Sequence, residues 1–421
     1  MKLGAVPKTT SYMMAIPVNN EDVENPEQIY ERIEASSEIK LVKKSFDDKN
    51  QCPMITLSYN GKEYVVDVFV EKINIPPNFA FCHPVKPDDL KILRSAEVGV
   101  TTAFTYEDPF ESYLFQVKLM NCILPNHVAL VDYNTEKIMS AEWSKMTANS
   151  EISPGPSYLF SVNTVKGKNE EIWLHTHGLN RCGFIELEIL NSNIENHNTH
   201  AMMLNIIANK MLNENSFENE TNPILVANLT SGAGIVATWL NWEDAVKKYD
   251  ENIAGGANSR KTGHNLFNGV LFIYPTPEHF KDMNPIPLHE INNLNLDDVL
   301  ISVSNKETER MSKLAQERMS YFLKAIVMDG VKGIVKVSLT IEDDKPETEY
   351  LWVEVDNVDG ESISAKLIQK PFYTKRLEIG DSVKIMASDV TDWMLNINNN
   401  RIAPDNAFLV DSFVETTEKR L

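Results

Sequence analysis

The chain has 421 residues, enough for two or three domains of ordinary size, and 43% of them are hydrophobic, so that each domain can bury a core. The 60 Asp and Glu residues outnumber the 40 Lys and Arg residues, which gives a formal net charge of -20. Such a charge repels phosphate backbones and anionic lipid surfaces. We therefore expect neither nucleic acid nor a membrane as a partner, and a basic protein is the partner that the charge favours.

Neither export nor a disulfide framework is indicated. The amino terminus lacks an apolar run of signal-peptide length, and nowhere do about 18 apolar residues follow one another. The cysteines lie tens of residues apart with no C-x-x-C pair, so that neither structural disulfides nor a zinc knuckle is expected. They are Cys52, Cys82, Cys122 and Cys182. A cytoplasmic protein with reduced thiols is the expectation.

The first 95 residues predict a small α+β unit. Ile29 and Ile33 lie at helical spacing among Glu residues, and Asn25 is a suitable cap, so residues 26–39 predict a surface helix. Two strand-like segments flank Asn60-Gly61, a dipeptide that adopts positive φ at both positions of a tight turn. These two segments predict a β-hairpin.

Residues 96–305 predict a central α+β domain of mixed layers. We expect helices over residues 110–120, 141–146 and 201–212, and strands over residues 127–131, 157–165, 171–177, 223–242 and 269–274. The wide apolar face of residues 201–212 is typical of a core helix. The polar stretch 250–265 predicts an exposed, mobile loop.

Residues 306–328 predict one long amphipathic helix that links to a mostly β carboxy-terminal domain, residues 329–421. Short strands are expected over residues 331–341, 350–355, 362–367, 382–386 and 393–397, separated by polar turns, which is typical of a barrel-like or rolled sheet. The predicted fold class is thus multi-domain α+β, with mixed sheets and helices and a small mostly β, barrel-like carboxy-terminal domain.

The stretch from Trp173 to Cys182 has the composition of an active site. Trp173, His175 and His177 alternate along a predicted strand, which places the two imidazoles on one face, and Cys182 follows a turn at Gly178. Two histidines with one further soft or carboxylate ligand suit zinc and leave a position for water. Cys182 is the candidate for that ligand, and Glu186 and Glu188 follow it. Partly buried polar residues on a sheet are the alternative, which the sequence favours because no second ligand pair of standard spacing occurs.

Other candidates have equally plain structural explanations. The loop Gly255–His264 contains Lys261 and Thr262 but no Gly directly before Lys261, so it is not a P-loop. Cys182 as a nucleophile lacks a third, orienting group. Ser231–Gly234 is favoured as a turn over a nucleotide-binding loop.

In the carboxy-terminal domain, Asp389 and Asp392 lie three residues apart beside Trp393. They form an acid-base pair if their environments separate their pKa values, but Asp389 also suits the cap of a single helical turn, and the capping interpretation is favoured. The candidate binding residues of the whole chain are Trp173, Arg181, Glu186, Asp392 and Trp393.

Two segments carry a family resemblance. The stretch Trp173-Leu-His-Thr-His-Gly-Leu-Asn-Arg-Cys-Gly-Phe-Ile-Glu-Leu-Glu resembles domain of unknown function 4026, over residues 1–325. Gly380-Asp-Ser-Val followed by Asp392-Trp-Met resembles the bacterial domain of unknown function 2314, over the mostly β carboxy-terminal domain of residues 329–421. Neither resemblance implies an activity, a catalytic residue or a cofactor. Gly178-Leu followed by Glu186-Leu-Glu is also similar to suppressor of fused, among whose relatives are immunity proteins that neutralise toxins.

The sequence favours a cytoplasmic bacterial protein that binds a partner or regulates it, an immunity-type protein included, with no catalytic activity and no cofactor. The alternative is a metal-dependent hydrolase centred on His175 and His177, with zinc as its cofactor. A housekeeping protein with a small-ligand pocket between domains is a third interpretation. Oligomeric state and partner identity have no signal in the sequence.

Overall fold

The structure, a computed structural model, describes residues 6–47, 52–214, 223–229, 234–260, 264, 266–291, 299–300, 305–342, 345–371, 374 and 376–418. Contacts divide the chain into two compact units. The first comprises the chain up to residue 304 without residues 149–155, and the second comprises residues 149–155 and 305–421. Helices accompany mixed or antiparallel sheets throughout, which confirms the α+β fold class.

The first sheet of the amino-terminal unit has eight strands within the described residues, in the order β2-β3-β4-β6-β1-β7-β8-β5. Its strands are β1 (Thr10–Pro17), β2 (Lys40–Asp47), β3 (Cys52–Tyr59), β4 (Lys62–Lys72), β5 (Ala80–Phe81), β6 (Val98–Thr105), β7 (His127–Asp132) and β8 (Lys137–Ser140). Neighbouring strands are antiparallel except β5 and β8. Strands from both sides of residue 95 therefore belong to one sheet.

Local signals explain how several elements of this sheet begin and end. Its helices are α1 (Pro26–Glu34), α2 (Pro87–Ser95), α3 (Pro109–Ile123) and α4 (Ala141–Ala148). The Asn25 side chain accepts a hydrogen bond from the backbone N–H of Glu27 at 3.1 Å, so α1 begins at the predicted cap. Asn60 and Gly61 have φ of 49° and 75°, as the predicted hairpin turn between β3 and β4 requires.

The second sheet also has eight strands among the described residues, in the order β16-β12-β13-β14-β11-β10-β9 with β15 on β14. Its strands are β9 (Ser161–Lys166), β10 (Ile172–His177), β11 (Glu186–Ser192), β12 (Ile224–Leu229), β13 (Gly234–Asn241), β14 (Asn268–Tyr274), β15 (Ile286–Pro287) and β16 (Val299–Leu300). Only β11 and β14 pair in parallel among these described strands.

Helix α5 (His197–Glu214) packs against β10 and β11, with Met203, Ile207 and Met211 fully buried, as a core helix should. Two short helices follow, α6 (Trp242–Ala245) and α7 (Pro277–Lys281). The strand expected over residues 157–165 begins only at Ser161, because residues 156–158 form a 3-10 turn that starts at Pro156.

The carboxy-terminal unit contains a six-stranded antiparallel sheet in the order β20-β19-β18-β17-β21-β22. Its strands are β17 (Lys332–Glu342), β18 (Lys345–Asp359), β19 (Ser362–Leu367), β20 (Ser382–Met386), β21 (Val390–Ile397) and β22 (Asn400–Ile402), and its helices are α8 (Asn305–Glu317), α9 (Met319–Ile326) and α10 (Leu409–Glu418). Helices α8 and α9 pack on β21. In the part of the chain that the structure describes, this sheet is open and not a closed barrel.

The prediction of a single long helix over residues 306–328 is wrong, because this segment forms two helices, α8 and α9. Arg318 interrupts it with φ of -106°, and its guanidinium donates a hydrogen bond to the carbonyl of Pro404 at 2.6 Å. Among the helices described, none combines the length and the apolar character that crossing a bilayer would take.

Candidate metal centre

Three neighbouring strands bring polar side chains into one row across the second sheet. Trp173, His175 and His177 alternate along β10 and therefore lie on one face. In the strand register, His175 is directly opposite Asn163 of β9 and Glu188 of β11. Residues opposite each other in an antiparallel pair project to the same face, so Asn163, His175 and Glu188 are neighbours.

A third histidine joins this row from a distant loop. The Nε2 atoms of His175 and His177 are 3.0 Å apart, and His264 offers a ring nitrogen such that the three ligand atoms lie within 4.8 Å of one another. The ring of His264 meets those of His175 and His177 edge to face, at centroid distances of 4.6 and 5.2 Å. In the described part of the chain, this is the one group of three potential ligands placed so closely.

His175 is buried and uncharged at neutral pH. The residue is 2% exposed, and burial lowers the pKa of its imidazole to about 2. The neighbouring groups His177, His264 and Arg260 lower this pKa as well. A neutral imidazole has the free electron pair that a metal requires. Its Nδ1 atom is buried without a hydrogen-bond partner among the described residues, a condition that costs about 1–3 kcal/mol in a protein interior.

The spacing of the three histidines fits a tetrahedral ion. Nitrogen ligands at about 2.0–2.1 Å from zinc are about 3.3 Å from one another. His175 and His177 are slightly closer than this at 3.0 Å, and the largest separation in the group is within 4.8 Å. Small side-chain rotations therefore suffice to give three bonds to one ion, and imidazole ligands suit zinc, copper, iron and nickel.

The turn after β10 is built around a buried carboxylate. Glu186 accepts hydrogen bonds from the backbone N–H groups of Gly178 at 2.9 Å and Asn180 at 3.1 Å, and from the Thr176 hydroxyl at 2.7 Å. Gly178 has φ of 107°, and a Cβ there would lie 2.5 Å from the carbonyl oxygen of Leu159. Glu186, a candidate binding residue in the sequence, thus holds the chain where the histidine strand ends.

An ion pair ties the loop of His264 to the same row. The Arg260 guanidinium donates to both carboxylate oxygens of Glu188 at 2.8 and 2.6 Å, and the two side chains are 1% and 0% exposed. It also donates to the backbone carbonyls of His264 at 2.7 Å and Gly255 at 3.0 Å. The prediction of an exposed loop is wrong for residues 254–256, which are buried, and for the side chain of Arg260, which is 1% exposed.

The loop passes directly over Trp173. Gly255 has φ of 75°, and a Cβ on it would lie 2.7 Å from the indole ring of Trp173, so that only glycine fits without a shift. The guanidinium of Arg260 lies 5.4 Å from the centroid of the same indole. Trp173, expected to bind a partner, is 3% exposed beneath this loop.

The three histidines line a cavity of about 770 Å³. This volume is within the range of pockets that bind small molecules, about 300–1,000 Å³. Much of the remaining lining is polar and includes Asn78, Glu136, Asn163, Lys166, Asn252 and Ser259. The cavity therefore presents a possible metal site together with groups that can orient a polar ligand.

Two other predicted site residues near this turn lie inside the fold. Cys182 is 5% exposed, its thiol donates to the carbonyl of Gly178 at 3.7 Å, and burial raises its pKa to about 12, so it is a protonated thiol outside the histidine group. Arg181 is fully buried and donates to both oxygens of Asp132 at 2.9 and 2.8 Å. Neither side chain belongs to the cavity lining.

The candidates of the carboxy-terminal unit have structural contacts of their own. Trp393 is fully buried and donates from Nε1 to the carbonyl of Ala315 at 3.1 Å. Asp392 accepts from the backbone N–H of Trp393 at 2.8 Å, and burial raises its pKa to about 6. Asp389 accepts from the N–H of Met386 and closes a 3-10 turn over residues 387–389, as the capping interpretation predicted.

Sequence reasoning missed His264 and Glu136 as members of the site. The sequence offers one signal for His264, which is its place at the end of a glycine-rich loop. That loop was considered only as a phosphate-binding segment. The nucleotide-binding alternatives depended on residues outside the described part of the chain, namely Lys261, Thr262 and residues 231–233.

Comparison with known proteins gives family membership only. The family model described as "Protein of unknown function (DUF4026) N-terminal" matches residues 11–154, and its C-terminal counterpart matches residues 160–272, which contain all three histidines. The model "Uncharacterized protein conserved in bacteria (DUF2314)" matches residues 305–416. No curated protein and no solved structure matches. The chain belongs to the DUF4026 family and carries a DUF2314 domain in residues 305–416.

Proposed function

We propose that the DUF4026 part of the chain is a metal-dependent enzyme of the hydrolase class, which binds zinc through His175, His177 and His264. The observation that supports this function is the convergence of the three histidines at the wall of a cavity of about 770 Å³. The burial and neutrality of His175 support it further, because a neutral imidazole keeps the free electron pair on the nitrogen that faces His177 and His264.

The chemistry follows from the number of ligands. Structural zinc sites close the ion with four protein ligands, whereas catalytic sites use three and leave the fourth position to water. Zinc lowers the pKa of such a water to about 7 and so supplies hydroxide at neutral pH. The cavity of about 770 Å³ that the histidines line would have room for a small substrate beside an ion held by them.

This proposal replaces the interpretation that the sequence favoured, a binding or regulatory protein without catalysis. The reason is the third histidine: two histidines on a strand suit a structural role, whereas three around a cavity with a buried neutral member suit a metal. Binding of a basic protein partner stays a prediction that only the net charge supports.

Elemental analysis tests the metal. The full chain, loaded with zinc and dialysed, should retain one zinc ion per molecule, and the variants His177→Ala and His264→Ala should retain none. His279→Ala is the matched control, because His279 belongs to α7 and not to the histidine group, and it should retain zinc fully. Circular dichroism verifies the fold of each variant. Wild-type protein without stoichiometric zinc, or equal zinc in all variants, contradicts the proposal.

A panel of activated carboxylic esters and phosphodiesters tests the hydrolase class. Turnover should require zinc, stop on chelation, return on adding zinc, and be absent in His264→Ala. A chain that binds zinc stoichiometrically and turns over none of these substrates contradicts the catalytic part and leaves a metal-binding protein.

A further inference from the structure

We infer that Glu136 is the proton acceptor of this site: its carboxylate takes the proton from a water or another weak acid bound at His175, His177 and His264. This inference rests on the proposed metal site and names a catalytic residue for it. Glu136 comes from the turn between β7 and β8 of the first sheet and yet lines the same cavity as the three histidines.

A single side chain connects Glu136 to the histidine row. Asn163 donates from Nδ2 to Oε2 of Glu136 at 2.6 Å. Asn163 is also the register partner of His175 on the neighbouring strand, and such partners have Cβ atoms about 4.5–5.5 Å apart. The carboxylate therefore reaches the sheet next to the most buried ligand.

The carboxylate is held by one oxygen. Asn78 donates from Nδ2 to the same Oε2 atom at 2.8 Å, so two amides hold this oxygen in place. Among the described residues, no hydrogen bond reaches Oε1. A carboxylate that is oriented through one oxygen keeps the other for a proton, which is the arrangement a general base needs.

The backbone at this position is unfavourable for glutamate. Glu136 has φ of 57°, a left-handed conformation that costs about 1 kcal/mol or more for residues other than glycine. Asn or Gly would fill the same turn position with less strain. A glutamate at this strained position agrees with a role for its side chain.

The proton transfer balances without an oxidant or a further reactant. One O–H bond of the bound water breaks, its electron pair stays on the oxygen, and the proton forms an O–H bond with Oε1 of Glu136. The hydroxide attacks the substrate, and the proton then passes from Glu136 to the leaving group, which restores the carboxylate.

Binding of two small ligands to the full chain loaded with cobalt(II) distinguishes a proton acceptor from a structural residue. Acetohydroxamic acid loses a proton when it binds a metal, whereas azide binds as an anion. In Glu136→Gln, we expect unchanged cobalt stoichiometry and an affinity for acetohydroxamic acid at least about tenfold weaker, because the acceptor of its proton is gone. The affinity for azide should stay the same or rise, because a negative charge has been removed. Visible absorption titrations measure both.

Glu171→Gln is the matched control. Glu171 directly precedes β10 but does not line the cavity, so its removal changes the local charge without changing either affinity. Glu136→Asp, which keeps a carboxylate, should restore part of the affinity for acetohydroxamic acid. The inference is overturned if Glu136→Gln binds acetohydroxamic acid within about twofold of the wild type, or if it loses both ligands equally, which indicates a structural role. Wild-type protein that binds no cobalt overturns the metal site itself.

Discussion

Asp392 is a single carboxyl group whose environment opposes its ionisation. Burial raises its pKa to about 6, whereas the usual value is 3.8, so the folded protein holds this proton more tightly than the unfolded chain does. Its contribution to stability is complete below about pH 4 and is lost as the pH rises through about 6. The group destabilises the folded carboxy-terminal unit at neutral pH.

Asp392→Asn should therefore stabilise the protein by about 1–3 kcal/mol at pH 7.5 and change little at pH 4, because the amide removes the charge. Its Oδ1 atom can still accept the hydrogen bond that Asp392 now takes from the N–H of Trp393. Urea unfolding at the two pH values measures the difference. A loss of stability at pH 7.5 would indicate that the ionised carboxylate is the favoured form in the folded unit.

Single residues also show where the sequence sufficed for the site. The two-residue period of a strand was enough to place His175 and His177 on one face. It was not enough for His264, because the position of that residue depends on Arg260 reaching Glu188 across separate segments of the chain. Sequence spacing contains no signal for a contact of that kind.

At the scale of elements, the loop that carries His264 depends on the absence of a side chain at Gly255. Gly255→Ala places a methyl group 2.7 Å from the Trp173 ring and 2.8 Å from the Leu190 side chain at φ of 75°, so either the loop or these side chains must shift. We expect the zinc affinity to fall at least about tenfold while the fold persists, since the ligands need their geometry to well within 1 Å. Competition with a chromophoric chelator measures this affinity.

Gly61→Ala separates backbone strain from the steric effect. Gly61 also has φ of 75°, but a Cβ there meets nothing within 4 Å. This variant should lose about 1 kcal/mol of stability and bind zinc as the wild type does. Equal zinc affinity in Gly255→Ala would mean that the loop does not set the position of His264.

Elements with strong local signals were predictable, and those fixed by distant contacts were not. The cap at Asn25 and the turn at Asn60-Gly61 act within a few residues, and both predictions are confirmed. The division between α8 and α9 was missed because it involves Arg318 and the remote carbonyl of Pro404. An amphipathic stripe continues through such a break without any change in pattern.

At the scale of the whole molecule, the net charge of -20 sets the long-range field. We expect the protein neither to shift duplex DNA in an electrophoretic assay nor to sediment with vesicles of anionic lipid at about 0.15 M salt. Vesicles of cationic lipid are the control for the sign of the charge. Saturable binding to DNA would show that a local basic surface outweighs the overall field.

The arrangement of the whole chain was less accessible from sequence than its class. The α+β composition followed from local patterns. In the first sheet, however, β6 pairs with both β1 and β4, two strands that are far from each other in sequence. The local sequence pattern of a strand does not indicate which distant strand it pairs with. The family models divide the chain near residue 305, where the second compact unit resumes.

The ion pair between Glu188 and Arg260 has a thermodynamic consequence for the proposed zinc site. His175 and His177 lie on a strand, and His264 lies on a separate segment whose carbonyl Arg260 binds, so the free energy of these contacts and that of metal binding add in one equilibrium. At a free concentration of a hundred times its dissociation constant, zinc would add about 2.7 kcal/mol to the stability of the folded site, beyond the contribution of the ion pair. The stability of the folded site should therefore rise with the concentration of free zinc around the protein.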